Sequence, residues 1–296
     1  MNYPIVQIKT SDGVWLYGLF LEASHPKALY LNIHGTASNF YEEYFIEVMT
    51  QSFLKDSISM LSVNNRGAGV YDAWQGSGAA TEIFADCVLD IDAWIQFAFK
   101  KGYNQIILSG HSLGTEKVVY YMNHGKYVEK VKLLVLLAPA DSYGSHRLHE
   151  GKPNVKVSVN IQKRLEEDID FVKNGKGDTF MPRDTYGSHG GIMPKTADSL
   201  LDSLGSDSKL LQALPITTSK LEAYSMIKIP ILVAIGDQNE YTGLTIKDSI
   251  ELMKKENSLT EVVQFQNCDH DFQECEEELS ETILKFIRKH FSSNFD

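Results

Sequence analysis

The sequence predicts an α/β fold: a mostly parallel central sheet that begins in an antiparallel hairpin, carries helices on both faces and accommodates one long insertion. Three observations predict it. Short apolar runs of strand length alternate with segments of helical periodicity along most of the 296 residues, the pattern of a parallel sheet buried on both sides. The first two strand-like runs are separated only by Ser11-Asp12-Gly13, which is a turn and not a crossover. One stretch, 141–228, then interrupts the alternation with far more chain than a loop between consecutive strands needs.

Taken in order, "IVQIKT" and "VWLYGLFLEA" make the hairpin. "KALYLNIHG" and "ISMLSVNN" are strands on either side of a helix in "NFYEEYFIEVMTQSFLK", with Ser38 or Asn39 as its N-cap. "TEIFADCVLDIDAWIQFAFKKG" is a long amphipathic helix with Phe84, Val88, Ile91, Ile95 and Phe99 on one stripe, stopped by Gly102. Strand "NQIILSG" leads directly into "HSLG" and the helix "TEKVVYYMNHGK". "VKLLVLLAP" and "IPILVAIG" are buried strands, "LTIKDSIELMKKE" is a helix, "EVVQFQN" is the last strand and "QECEEELSETILKFIRKHF" the closing helix. Residues 1–140 and 229–296 therefore read as the core. The 141–228 stretch, with helical segments "NIQKRLEEDIDFVKNG" and "TADSLLDSLGSDSKLLQAL", reads as an inserted cap.

Composition excludes several classes. With 43% hydrophobic and 23% charged residues the chain is that of a globular protein, and a net charge of −11 argues against nucleic acid or an anionic membrane surface as partner. No apolar run reaches the length of a membrane span. The first twenty residues lack a basic start and a long apolar core, so no signal peptide is expected. The three cysteines, Cys87, Cys268 and Cys275, leave at least one unpaired and form no CxxC. Cytoplasmic residence with free thiols, no metal and no cofactor is the expectation.

The chemistry concentrates on Ser112 in "GHSLG". A serine between Gly110 and Gly114, on a sharp turn from strand to helix, presents its hydroxyl above the sheet as a nucleophile. Such a hydroxyl is weak without a base. Of the nine histidines, His270 in "NCDHDF" falls in the loop between last strand and last helix, where a base is expected; Asp269 and Asp271 flank it. A tetrahedral oxyanion needs two preorganised donors. The amide of Leu113 is one, and "NIHGTASN" after an early strand offers the amide of Thr36 as the other, with Gly35 letting that loop fold tightly. His34, His111, Arg66 and Tyr143, with Trp74, are candidates for the substrate pocket.

Together these segments resemble the α/β-hydrolase family over nearly the whole chain: the HG loop, "NNRGAG" after the next strand, the GHSLG elbow, the cap and a late DH. "GKGDTFMP" (175–182), "LLDSLGSDSKL" and "NEYT" (239–242) are similar to the subgroup of fungal siderophore esterases. The resemblance implies a nucleophile, acid, histidine order and a small-molecule ester as substrate, split through an acyl-enzyme. Amide, thioester or carbon–carbon cleavage and acyl transfer use the same machinery, and a catalytically silent binding protein shares the fold. The family's acid stands three residues after the glycine ending its strand. Here that glycine is Gly236 and the position holds Asn239, with Glu240 and Asp237 both close enough to supply the carboxylate instead.

Overall fold

A computed structural model describes residues 3–148, 161–181, 187–188, 191–238 and 240–291. In chain order the first half contains β1 (Ile5–Lys9), β2 (Trp15–Leu21), β3 (Ala28–Ile33), α1 (Phe45–Lys55), β4 (Ile58–Val63), α2 (Cys87–Lys100), β5 (Ile106–His111) and α3 (Leu113–His124). Next come β6 (Val131–Leu137), α4 (Ser142–Leu148), α5 (Ile161–Lys173), the two-residue strands β7 (Gly187–Ser188) and β8 (Gly191–Ile192), α6 (Ala197–Leu204) and α7 (Glu222–Ser225). Then follow β9 (Ile231–Ile235), α8 (Ile246–Glu256), β10 (Thr260–Gln264) and α9 (Glu276–Phe291).

Eight strands form one sheet in the order β1-β2-β4-β3-β5-β6-β9-β10. β2 runs antiparallel to both of its neighbours, and every other pairing except β1 with β2 is parallel. Side chains alternate across the strands. Leu29, Leu31 and Ile33 of β3 with Leu134 and Leu136 of β6 meet α2, α3 and α8 on one face. Tyr30, Leu133, Val135 and Leu137 point the other way, against Phe45, Met49 and Phe53 of α1 and Leu279, Ile283 and Ile287 of α9. Both faces are apolar, so neither can meet water, and the parallel strands read as continuous hydrophobic runs for that reason.

Three helices are shorter than their periodicity suggests. Helix α1 starts at Phe45, because Asn39 turns its side chain onto the amide of Tyr41 (3.0 Å) and Phe40 N–H donates to Asn64 Oδ1 (3.0 Å). Neither Ser38 nor Asn39 is its N-cap. Helix α2 proper starts at Cys87 after one 3₁₀ turn, and its buried stripe is Cys87, Ile91, Trp94, Ile95 and Ala98, with Phe99 at the edge and 50% exposed. Gly205 ends α6, so "TADSLLDSLGSDSKLLQAL" is a helix and a separate 3₁₀ turn.

The insertion between β6 and β9 divides in two. Leu165, Met193, Leu200 and Leu204 form a small cluster of their own with Ala79. In contrast Leu214, Ile216, Leu221, Tyr224 and Ile227 are buried in the main core beside α3 and α8. The last part of the insertion thus packs with the core helices, and its first part does not. Tyr224 is fully buried and its carbonyl accepts from Asn257 Nδ2 (2.8 Å). Tyr224→Ala is expected to lower unfolding free energy by about 3–5 kcal/mol in urea titrations, as large aromatic truncations do. Phe180→Ala, at a side chain 42% exposed, should change it by less than about 1 kcal/mol. Equal effects would show that the two halves of the insertion are not packed differently.

Candidate active site

The parallel strands end in register. Ile33 pairs with Gly110, His111 with Leu137, Leu137 with Ala234 and Ile235 with Gln264, so the loops after β3, β5, β9 and β10 open on one edge of the sheet. In open α/β sheets the crevice at this carboxyl edge is where ligands bind.

Ser112 sits between β5 and α3 with φ 53° and ψ −124°, in the region non-glycine residues rarely adopt. Its N–H donates to Leu137 O (3.0 Å) and its carbonyl accepts from Thr115 N (2.9 Å) and Oγ1 (2.6 Å). The turn needs small neighbours. A Cβ at Gly114 would collide with the carbonyl oxygen of Ile33, and one at Gly35 would stand 2.8 Å from the Cβ of Ser112. The loop after β3 is thereby packed directly against the serine.

That loop is fixed by His34, which is fully buried. Its Nε2 accepts from Asn65 N (3.2 Å) and its Nδ1 donates to Gly35 O (2.7 Å), a neutral tautomer. Burial, with the Lys117 ammonium nearby, pushes its pKa down to about 4. Because the Gly35–Thr36 peptide is trans, turning its carbonyl to His34 aims the Thr36 N–H the opposite way. Among the described residues that amide has no acceptor. The Leu113 amide opens α3, where no intrahelical acceptor exists.

His270 follows β10 on the adjoining loop. Its Nδ1 meets Glu240 Oε2 at 2.8 Å, both side chains being buried, and Glu240 Oε1 accepts from Gly236 N (2.9 Å). The Tyr241 ring stands edge-on to His270 at 4.6 Å. Asp237 is engaged elsewhere: its carboxylate accepts from Asn267 N (3.0 Å) and Cys268 N (3.1 Å), which holds its pKa below the usual range. It ties the His270 loop to the end of β9 without touching the imidazole. Asn239 lies outside the described residues.

Gly35, Thr36, Ser112, His111 and His270 line one cleft of about 200 Å³, with Glu42, Tyr44 and Asp271 at its rim. A second, smaller cavity of about 20 Å³ lies on the other side of Thr36 and Leu113, against Phe84, Lys195, Leu204 and Leu210. Among the described residues no three His, Cys, Asp or Glu side chains are grouped to hold a metal ion, and no helix is long and apolar enough to cross a membrane.

Several expected pocket residues stand away from the cleft. His34 acts behind it, through the loop. The guanidinium of Arg66 is tied up by Asp90 (2.9 Å), Asp12 (3.0 Å) and Asp86 (3.0 Å) and does not reach the mouth. Tyr143 packs against the cluster of Phe84, Tyr120 and Leu210. Trp74 is 98% exposed on its own loop. His111 does line the cleft, and its partner Glu43 was not singled out, because nothing in "YEEYF" distinguishes it from its neighbour Glu42.

A sheet of this order, with one antiparallel second strand, a serine on a strained β5–α3 turn and an acid–histidine pair beyond it, defines an α/β-hydrolase. Residues 24–273 match the family described as serine aminopeptidase S33 (Hydrolase_4), and the chain belongs to that family of hydrolases. No curated protein matches the sequence. Among solved structures, the esterase Est1E of Butyrivibrio proteoclasticus with ferulic acid bound is 15% identical, with 97% of this chain and 100% of that one covered at a TM-score of 0.68. An esterase of Exiguobacterium antarcticum is 16% identical (97% and 100% covered, TM-score 0.60). An esterase of Pyrococcus furiosus is also 16% identical (97% and 91% covered, TM-score 0.59). Likenesses at this identity show the shared fold.

The Arg66 cluster generates a prediction. Arg66→Met leaves the fully buried Asp90 carboxylate uncompensated, which should cost about 3–5 kcal/mol of stability. Activity per folded molecule should stay within about threefold, because the cluster is outside the cleft. A variant of normal stability and tenfold lower kcat would place Arg66 in the site after all.

Proposed function

We propose that the protein is a serine hydrolase that cleaves a carboxylic ester through an acyl-enzyme. The observation that carries this reading is the 2.8 Å contact between His270 Nδ1 and the buried Glu240, with His270 lining the same cleft onto which the strained Ser112 opens. With Nδ1 donating to the carboxylate, proton transfer falls to Nε2. Ser112 Oγ attacks the ester carbonyl carbon as its proton passes to His270 Nε2, and Glu240 offsets the imidazolium charge. The amides of Thr36 and Leu113 hold the oxyanion. Collapse breaks the bond to the alcohol oxygen, which takes the proton from His270. Water then attacks the acyl carbon, gives its proton to His270, and the acid leaves as Ser112 recovers its hydrogen.

The esterases among the neighbours in fold support an ester; the family description, a serine aminopeptidase, marks amide cleavage as the second reading on the same machinery. The insertion from 141 to about 212 is read as the cap, since Lys195, Leu204 and Leu210 close the small cavity beyond Thr36 and Leu113. That cavity is read as the acyl pocket. At about 20 Å³ it has room for a group of roughly one water's size, which suits a short acyl chain. The larger cleft then takes the alcohol.

Ser112→Ala should lose at least about 99.9% of ester turnover while staying folded, and Glu240→Gln about a hundredfold to ten-thousandfold in kcat/KM. Asp237→Asn should lose less than about tenfold, because its carboxylate bonds the Asn267 and Cys268 amides and not His270. A folded Glu240→Gln variant of near-normal rate, or a larger loss in Asp237→Asn, would overturn the assignment of the acid. In a p-nitrophenyl ester series, acetate should be preferred to octanoate, and Leu210→Ala should shift that ratio toward octanoate by at least about tenfold. An unchanged ratio would remove the acyl group from this cavity.

A further inference from the structure

We propose that His111 and Glu43 are positioning residues for the base: a His111 imidazolium, anchored on Glu43, holds the backbone carbonyl of His270 and with it the place of the His270 ring. This rests on the reading of His270 as the base.

The geometry carries the charge state. His111 Nδ1 faces Glu43 Oε1 at 3.1 Å and Nε2 faces the carbonyl oxygen of His270 at 2.9 Å. Both partners are acceptors. A neutral imidazole has one N–H, so either neutral tautomer would set a lone pair against one of these oxygens. Only the doubly protonated ring satisfies both. His111 is 4% exposed, and each ring nitrogen is taken up by one of these protein oxygens. Glu43 is itself fixed, its other oxygen accepting from Asn32 Nδ2 at 2.7 Å. The clamp thus runs from Asn32 in β3, through Glu43 before α1 and His111 at the end of β5, to the loop after β10.

The surroundings of His111 are accounted for on each side. Phe45 stands edge-on at 5.4 Å and Phe272 lies at 6.4 Å. The His270 ring is 5.1 Å away, tilted by 42°. Asp271 on the same loop and Glu240 beyond His270 add negative charge, while His34 lies near Glu43 and is neutral. Burial works against a charge on His111, but the Glu43 carboxylate and its hydrogen bond override it and push the pKa up to about 9. On Glu43 burial works in the opposite sense to His111, which with Asn32 leaves its carboxyl below the usual range. Because the folded pKa of His111 is raised from 6.5, the clamp is complete below that pH and is lost as pH rises through about 9.

Acting through the His270 backbone, the clamp should affect turnover more than binding. Glu43→Gln and His111→Gln are expected to lower kcat about tenfold to a hundredfold, the cost of a small displacement at the reacting centre, with KM within about threefold. Glu43→Gln should also bring the alkaline fall in kcat down from near pH 9 toward the ordinary histidine range. A purely structural pair would lower the melting temperature and leave the pH profile of the folded enzyme in place, which would overturn the proposal. Should either variant fail to fold, nitrogen NMR of the histidine rings in the wild type decides it. A His111 ring doubly protonated at pH 7.5 and titrating near 9 supports the clamp, and a neutral ring at pH 7.5 refutes it. That readout needs no turnover, so it is separate from the reading of function, which falls if Ser112→Ala keeps wild-type activity.

Discussion

The backbone of Ser112, at φ 53° and ψ −124°, is the constraint on which the rest of the site depends. A non-glycine residue held in such a region costs of order 1–3 kcal/mol and persists only where its surroundings fix it. Here they do so from three sides: Leu137 O on the Ser112 amide, Thr115 on its carbonyl, and the β3 strand end pressed against Gly114. Relaxing the turn would withdraw the hydroxyl from the cleft and pull the first amides of α3 out of line. The loop after β3 could then no longer lie against the serine, since Gly35 is spaced for the strained turn alone.

Buried charge organises the rest of the edge. His270 with Glu240, His111 with Glu43, and Lys117 with Glu82 are ion pairs or charge-assisted contacts with little or no exposed surface. Such pairs contribute little net stability against apolar replacements, but breaking one strands a charge at a cost of about 3–5 kcal/mol. Their effect is to fix which loops meet. Lys117 also donates to Asn65 Oδ1 (2.8 Å), and Asn65 Nδ2 donates to His34 O (3.2 Å), so α3 holds the β3 loop through two side chains. Asp237 does the same between β9 and the His270 loop with backbone partners.

The alternation of strands and helices was legible in the sequence because both sheet faces are apolar and turn residues punctuate the runs. The elbow was legible because Gly110, Ser112 and Gly114 must be what they are for local steric reasons. His270 was legible by position in the chain. The choice between Glu240 and Asp237 was not, since both lie on one short loop and only the path of the backbone decides which carboxylate turns inward. Arg66 read as a mouth residue because three carboxylates distant in sequence, Asp12, Asp86 and Asp90, could not be seen to converge on it. Glu43 was invisible for the same reason: its meaning comes from His111, 68 residues away. The packing of Leu214 to Ile227 into the main core was not legible, because these apolar residues have no periodicity of their own and are ordered by α3 and α8.

The central claim is that Ser112 is the nucleophile, activated by the His270–Glu240 pair. Its most direct test is peptide mass spectrometry of the protein after brief exposure to a fluorophosphonate at neutral pH. The account predicts a single phosphonyl adduct, on the peptide containing Ser112, with labelling strongly slowed in His270→Ala. Absence of an adduct on that peptide in folded protein, or equally fast labelling without the imidazole, would contradict it.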